Sequence, residues 1–179
     1  KFGNGRDRRG RSMAVLGRHV GAITPATMMA ALRDHGEDAS DGWSPDGDLP
    51  GATICMHAAG PGRGSQTTGS MVSHLHQDHP SHFFTGTAAP CTSLFKPAWV
   101  DTSLPDMGPA PTGVYDAATL YWRHEALHRA TLQDYAALIR AYAPERDTLE
   151  TASVTQALRT ADRDRATRTA FVARCFEEA

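Results

Sequence analysis

The stretch that decides the fold is QTTGSMVSHLHQDHPSHFFTGTAAPCTSLFKP, residues 66–97. Apolar and small residues alternate in it with turn-forming Gly, Pro and Asp, which is typical of short strands joined by tight turns. With the apolar run before it, the pattern predicts four strands, at 52–58, 67–75, 82–87 and 92–96, the last ended by Pro97. Because small or apolar residues fall on both faces, we expect adjacent antiparallel strands covered on both sides, with strand 67–75 away from a free edge.

Helices are predicted on either side of these strands. Thr24 is a good N-cap for a helix over 25–35, with Pro25 at its first position and Gly36 as its terminator. After a Pro/Gly-rich connector, Asp116 begins a long helix that breaks at Pro144, and a last helix follows over 147–176 with an exposed polar middle at 162–168. The expected core-facing positions are Met28, Met29, Leu32, Leu120, Leu127, Tyr135, Leu138, Tyr142, Val154, Leu158, Ala161, Val172 and Cys175.

These elements predict an α+β class and a single domain over 1–179, with helix plus sheet at 24–97 and C-terminal helices at 114–177. Residues before 24 show no clear element. The chain begins at Lys1 without an initiator methionine, so we expect it to be the C-terminal portion of a larger protein.

Composition excludes several classes of partner. A formal net charge of −2 argues against nucleic acid or an anionic membrane reached through bulk electrostatics. No run approaches the roughly 18 apolar residues of a membrane helix. The three cysteines are widely spaced and odd in number, which favours a reducing, cytoplasmic compartment unless an upstream leader exists.

The segment from Gln66 to Ser70 is the main candidate for binding. A glycine inside a strand weakens it unless something approaches the backbone closely, and Gly69 has hydroxyl residues on both sides. The alternative, a Thr-rich strand with a bulge, fits the residues equally well. Substrate contact is therefore one hypothesis for Gln66, Thr67, Thr68, Gly69 and Ser70.

Other candidates favour structural interpretations. Four histidines between His74 and His82 are the right residue type for zinc, but they straddle a strand end and a Pro-containing turn, so exposed turn histidines are favoured and no metal site is predicted. Cys91 lacks a local activating base, which favours a buried thiol over a nucleophile. His124 and His128 lie beside the apolar stripe of the long helix, which favours core or groove positions.

Five segments taken together resemble the secernin branch of the cysteine dipeptidase family. They are LRDHG at 32–36, TICMHA at 53–58, QTTGSMVS at 66–73, TGTAAPCTSLFKP at 85–97 and LYWRHEALHR at 120–129, and they follow the family's order within about residues 24–130. The match corresponds to the latter half of that family.

The resemblance implies an N-terminal-nucleophile hydrolase with two antiparallel sheets sandwiched between helices. In that class a cysteine made N-terminal by processing attacks an amide, and its own α-amino group, with a pKa of about 7.7–8.0, serves as base. The acyl-enzyme is then released by water, and no cofactor is implied. None of this chain's cysteines occupies the position of that nucleophile, so we expect it upstream.

The sequence therefore predicts a dipeptidase-like cysteine hydrolase acting on dipeptides or small amides, with 66–70 as a wall of the substrate pocket. Arg123 is a candidate partner for a substrate carboxylate, although a structural ion pair is favoured for it. Three alternatives stay open: an acyltransferase or amidase on the same fold, a non-catalytic interaction protein and, as the least favoured, a metal-binding module built on the histidines at 74–82. Self-association into a homo-oligomer is also expected if the upstream half is absent.

Overall fold

The computed structural model describes residues 5–36, 43–45, 53–58, 65–76 and 78–179. These residues form helices α1 to α5 and one antiparallel sheet with the strand order β1-β2-β3. The helices are α1 (Gly5–Gly17), α2 (Pro25–Leu32), α3 (Leu120–Thr131), α4 (Tyr135–Thr160) and α5 (Arg165–Glu177). The strands are β1 (Met71–His74), β2 (Ser81–Phe84) and β3 (Lys96–Ala98). The α+β class is confirmed.

The sheet is smaller than predicted, and β2 is its central strand. Val72 pairs with Phe83 and Phe83 with Pro97, so adjacent antiparallel pairing is confirmed. Strand β1, in contrast, lies at an edge among the described residues, so the expectation that it lies away from a free edge is wrong. Pro97 lies inside β3 and does not end a strand, which is possible because β3 is also an edge strand and needs no outward N–H.

Two predicted strands are absent from the described residues. Residues 53–55 form a bend and 56–58 belong to no helix or strand, while residue 52 lies outside the described part of the chain. Residues 89–93 form a turn, with Thr92 N–H donating to Ala89 O at 3.0 Å. This segment forms a turn and not a strand because the Arg33 guanidinium donates to the carbonyls of both Pro90 and Ser93.

The main core lies on one face of the sheet, against α2, α4 and α5. Its buried side chains are Met29, Val72, Phe83, Phe95, Trp99, Val154, Ala157, Ala161, Phe171, Val172, Cys175 and Phe176. On the outer strand β1 only Val72 is buried, while Met71 and Ser73 on the opposite face are exposed. The prediction of a sheet covered on both sides is therefore wrong for β1 within the described residues.

The helices differ from the predicted ones in number and in their boundaries. Thr24 caps α2 as expected, accepting from Thr27 N–H, but the helix ends at Leu32 because Asp34 O turns away to accept from Cys55 N–H. Helix α1 exists where no element was predicted. Thr119, not Asp116, caps α3, and the predicted break at Pro144 is wrong because α4 continues through it to Thr160. The predicted single helix over 147–176 is also wrong, since its residues are divided between α4 and α5.

The predicted core stripe is confirmed in part. Tyr135, Val154, Ala161, Val172 and Cys175 are buried, whereas Leu127, Leu138 and Leu158 are exposed. Leu127 and Leu138 were wrongly placed in the core because the sequence pattern was interpreted as one helix through 116–142. The break between α3 and α4 changes which side chains face the core. In the polar stretch 162–168 only Arg168 is buried, where it pairs with Asp101.

A buried ion pair joins the helices to the segment after β2. Arg33 and Glu150 form a bidentate pair with N–O distances of 2.6 and 2.7 Å. Glu150 also accepts from Phe95 N–H at 2.9 Å, and the Arg33 guanidinium lies 5.0 Å from the Phe95 ring centre. Charged bidentate hydrogen bonds of this kind fix geometry strongly, so α2, α4 and residues 90–95 form one rigid unit.

Candidate functional site

Two cysteines and two histidines converge beneath the end of α2. Nε2 of His57 lies 3.2 Å from Cys91 Sγ, 3.4 Å from Cys55 Sγ and 3.2 Å from His35 Nε2. One ligand atom from each of these four residues lies within 4.8 Å of all the others. We call His35, Cys55, His57 and Cys91 the Cys/His cluster. Among the described residues it is the only group of three or more such side chains this close together.

Three chain segments position the cluster. His35 follows α2, in a loop fixed by the Arg11–Asp34 pair, whose two N–O distances are 2.7 Å. Cys55 and His57 lie in segment 53–58, which bends at 53–55, and their side chains contact each other at 3.4 Å. Cys91 lies in the 89–93 turn, where Arg146 donates to its carbonyl oxygen. None of these segments is a regular strand or helix at the cluster.

Aromatic side chains enclose the cluster. The Trp43 ring stacks on His35 with ring centres 3.7 Å apart, and Tyr135 meets the Trp43 ring edge-on at 5.0 Å. The exposed fractions are 0% for Cys55, 2% for His57 and 5% for Cys91. A thiolate nucleophile needs access to a substrate carbonyl, and the burial of Cys91 is unfavourable for that role.

Electrostatics differ between the two thiols. Burial raises the pKa of Cys55, and the neighbouring Cys91 thiol raises it further. Burial also opposes ionisation of Cys91, but hydrogen bonds from Cys55, His35 and His57 outweigh it and lower the pKa of Cys91. A thiolate at Cys91 is thus stabilised by its neighbours. Burial raises the pKa of the adjacent Tyr135 phenol, so Tyr135 is a neutral neighbour.

A second row of polar contacts lies behind the cluster. His128 Nδ1 lies 3.0 Å from Thr92 Oγ1, and His124 Nε2 lies 2.9 Å from Ala88 O and 3.0 Å from Ser93 Oγ. Burial lowers the pKa of His124 to about 4, with Lys96 and His128 nearby adding to the effect. Both histidines are packed helix residues, as the sequence analysis favoured.

The predicted substrate segment 66–70 lies next to the cluster segment. Thr67 N–H donates to Met56 O, and Met56 N–H donates to Thr67 Oγ1. Ser70 exchanges bonds with Thr85, through Ser70 N–H to Thr85 Oγ1 and Thr85 N–H to Ser70 O. Thr68 and Gly69 are exposed, and Gln66, Thr67 and Ser70 are half-buried. The segment belongs to no strand, since β1 begins at Met71.

The space beside Gly69 is open. A Cβ added there would meet no atom within 4 Å, and its backbone lies outside the left-handed region. The described part of the chain therefore gives no packing or backbone reason for a glycine at this position.

Other sequence candidates lie apart from the cluster. Among the described residues of the 74–82 region, His82 Nδ1 contacts Ser73 Oγ at 2.9 Å, and these imidazoles form no metal-ligating group. Arg123 is exposed, and its guanidinium reaches only the carbonyls of Ala117 and Ala118 in the described structure, so the favoured ion pair is not found. It lines a cavity of about 360 Å³ with Thr87, Lys96 and His124, which the 66–70 segment does not line.

Sequence reasoning weighed Cys91 only by itself and gave no ligand or catalytic role to His35, Cys55 or His57. The available signal was the Cys55-Met56-His57 spacing in the predicted strand 52–58, because alternate residues of a strand lie on the same face. His35 and Cys91 are distant from this segment in sequence. They approach it because Arg33 bonds to the 89–93 turn and Asp34 O accepts from Cys55 N–H.

Comparisons with protein-family models, with curated proteins and with solved structures return no match. None of the described helices is long and apolar enough to cross a membrane.

Proposed function

We propose that this chain is part of a cysteine-dependent amide hydrolase of the dipeptidase type, acting on dipeptides or similar small amides. Its sheet and helices would form one side of the N-terminal-nucleophile sandwich, and the exposed face of β1 is where a second sheet would pack. The attacking thiolate comes from outside these 179 residues, and the 66–70 segment forms a wall of the substrate pocket.

The observation that carries this proposal is that the five segments resembling the family bond directly to one another. Segment 32–36 contacts 53–58 through Asp34 O and Cys55 N–H, and 53–58 contacts 66–73 through Met56 and Thr67. Segment 66–73 then bonds to 85–97 through Ser70 and Thr85. Finally, 85–97 bonds to 120–129 through Ser93 and His124. Residues chosen for sequence resemblance alone thus form one connected unit.

Burial of all three cysteines supports an external nucleophile. Cys55, Cys91 and Cys175 are exposed by 0%, 5% and 4%. An attacking sulfur must reach the carbonyl carbon of the substrate, and burial is unfavourable for that role in all three.

The chemistry needs little from this chain beyond orientation. A thiolate attacks the amide carbonyl, the amine leaves with a proton, and water releases the acid from the thioester. Thr68 and Ser70 offer hydroxyl donors and acceptors at the wall, and the open space at Gly69 lets a substrate backbone approach. Donors fixed in place in this way stabilise the developing oxyanion or orient the substrate termini.

The test is release of free amino acids from a dipeptide panel. The 179-residue chain alone should show no turnover, whereas the protein together with any sequence that precedes Lys1 in its reading frame should hydrolyse part of the panel. Cys91→Ser, compared with the wild type at equal amounts of folded protein, should keep that turnover. Turnover by the chain alone that Cys91→Ser abolishes would make Cys91 the nucleophile, and a folded full-length protein inactive on all small amides would favour the interaction protein instead.

A further inference from the structure

We propose that the Cys/His cluster is a closed structural zinc site, with His35, Cys55, His57 and Cys91 as its four ligands. The inference is independent of the hydrolase proposal, because it concerns the buried Cys/His cluster and not the partly exposed 66–70 segment.

The spacing of the four ligand atoms carries the inference. Tetrahedral Zn²⁺ binds imidazole nitrogen at about 2.0–2.1 Å and thiolate sulfur at about 2.3 Å, so ligand atoms around one ion lie roughly 3.3–3.8 Å apart. The distances from His57 Nε2 to the other three ligand atoms are 3.2, 3.4 and 3.2 Å. The whole set lies within 4.8 Å. A set of two sulfurs and two nitrogens is also one that selects zinc.

Hydrogen bonding alone does not account for this convergence. A ring nitrogen carries either one N–H or one lone pair, so it makes one good hydrogen bond. His57 Nε2 nevertheless has three partners at 3.2–3.4 Å, and these lie in a buried site where unpaired polar groups are costly. A cation at the centre satisfies all four ligand atoms at once, and two thiolates balance its charge.

The site is closed, which indicates a structural role. Catalytic zinc keeps a position open for water, whereas structural zinc takes four protein ligands. Here four protein ligands are present, three of them almost fully buried, and Trp43 and Tyr135 pack around them. The ion would tie the end of α2, segment 53–58 and the 89–93 turn together, and binding would release protons from the two thiols.

The first measurement is elemental analysis of the protein purified without a histidine tag. We expect one zinc per chain. After removal by a chelator, Co²⁺ should restore binding and give the visible bands of a tetrahedral site together with thiolate-to-cobalt charge transfer. Cys55→Ser and His57→Gln should reduce the bound metal to a small fraction of the wild-type amount.

Two control variants separate this site from the other candidates. Cys175→Ser changes the cysteine that lies in the main core, and His82→Gln changes the histidine-rich turn; both should keep one zinc per chain. Because ligand variants can fail to fold, the wild-type chain is also unfolded thermally with and without chelator, and metal removal should lower its Tm by several degrees. A wild-type chain that holds no zinc, and binds neither Zn²⁺ nor Co²⁺ when they are added, would overturn the inference, as would zinc lost on His82→Gln but kept in Cys55→Ser.

Discussion

Nε2 of His57 lies 3.2 Å from Sγ of Cys91, although 34 residues separate them in the chain. A thiol and an imidazole at this distance can serve as a nucleophile and its base or as two ligands of one metal ion. The two roles make opposite demands, because a nucleophile must be reached by substrate while a structural ligand must not. The burial of both residues and the approach of Cys55 and His35 favour the second role.

The Arg33–Glu150 pair should dominate the stability of the site. Glu150→Gln removes the negative charge and leaves the Arg33 guanidinium buried, so we expect the free energy of unfolding to fall by about 3–5 kcal/mol. Asp147→Asn on the same helix is the matched control, because Asp147 is exposed and its ion pair with Arg146 should contribute less than about 1 kcal/mol. Urea unfolding measures both; equal losses in the two variants would contradict the role assigned to Glu150.

Local signals in the sequence predicted the elements whose determinants are local. Thr24 and Pro25 begin α2 because a cap and a first-turn proline act within one turn. The apolar runs around Val72 and Phe83 are strands because each packs its own side chain on the core. These features depend on neighbours a few residues away.

The errors come from contacts that no local pattern contains. The 89–93 turn replaces a strand because Arg33 holds two of its carbonyl oxygens, and Arg33 lies more than 50 residues away. The Cys/His cluster was missed for the same reason, since its ligands come from three separated segments. The predicted strand over 67–75 was confirmed only at 71–74, since residues 66–70 belong to no strand.

Acid should destabilise the protein partly through His124. Burial lowers the pKa of His124 from 6.5 to about 4, so the folded state holds the neutral ring while the unfolded state binds a proton first. The stabilisation from neutral His124 is complete above pH 6.5 and is lost as pH falls from 6.5 towards 4, by at most about 3 kcal/mol.

The His124→Gln variant, which keeps an amide donor for Ala88 O, should therefore show a shallower loss of stability over this pH range than the wild type. His76→Gln, which changes an exposed histidine outside the helices, is the matched control. Thermal unfolding at half-unit pH steps measures the difference. Parallel curves for the wild type and His124→Gln would show that His124 does not titrate in this range.

The free edge and open face of β1 should make the chain self-associate. Met71 and Leu75 are exposed by 64% and 80%, and the outward edge of β1 is unpaired among the described residues. Exposed apolar edge strands are templates for pairing, and an edge lysine opposes it. Light scattering should give a mass that rises with concentration, less so for Met71→Lys, while Val100→Lys outside the sheet should have no effect. A monomer at every concentration would contradict the idea that a second layer packs on this face.

The decisive variant for the substrate wall is Gly69→Val. Since an added Cβ at Gly69 would meet no atom within 4 Å and the backbone is not left-handed, the free energy of unfolding should stay the same or rise by about 0.5–1 kcal/mol, because the unfolded chain loses freedom. The valine side chain would, however, fill the space that a substrate backbone needs, so in the hydrolytically active protein KM for dipeptides should rise at least about tenfold, a loss of roughly 1.4 kcal/mol of binding. Gly113→Val is the control, because Gly113 also has open space but lies in the connector before α3. If Gly69→Val keeps both its stability and the wild-type KM, the 66–70 segment does not line the substrate pocket.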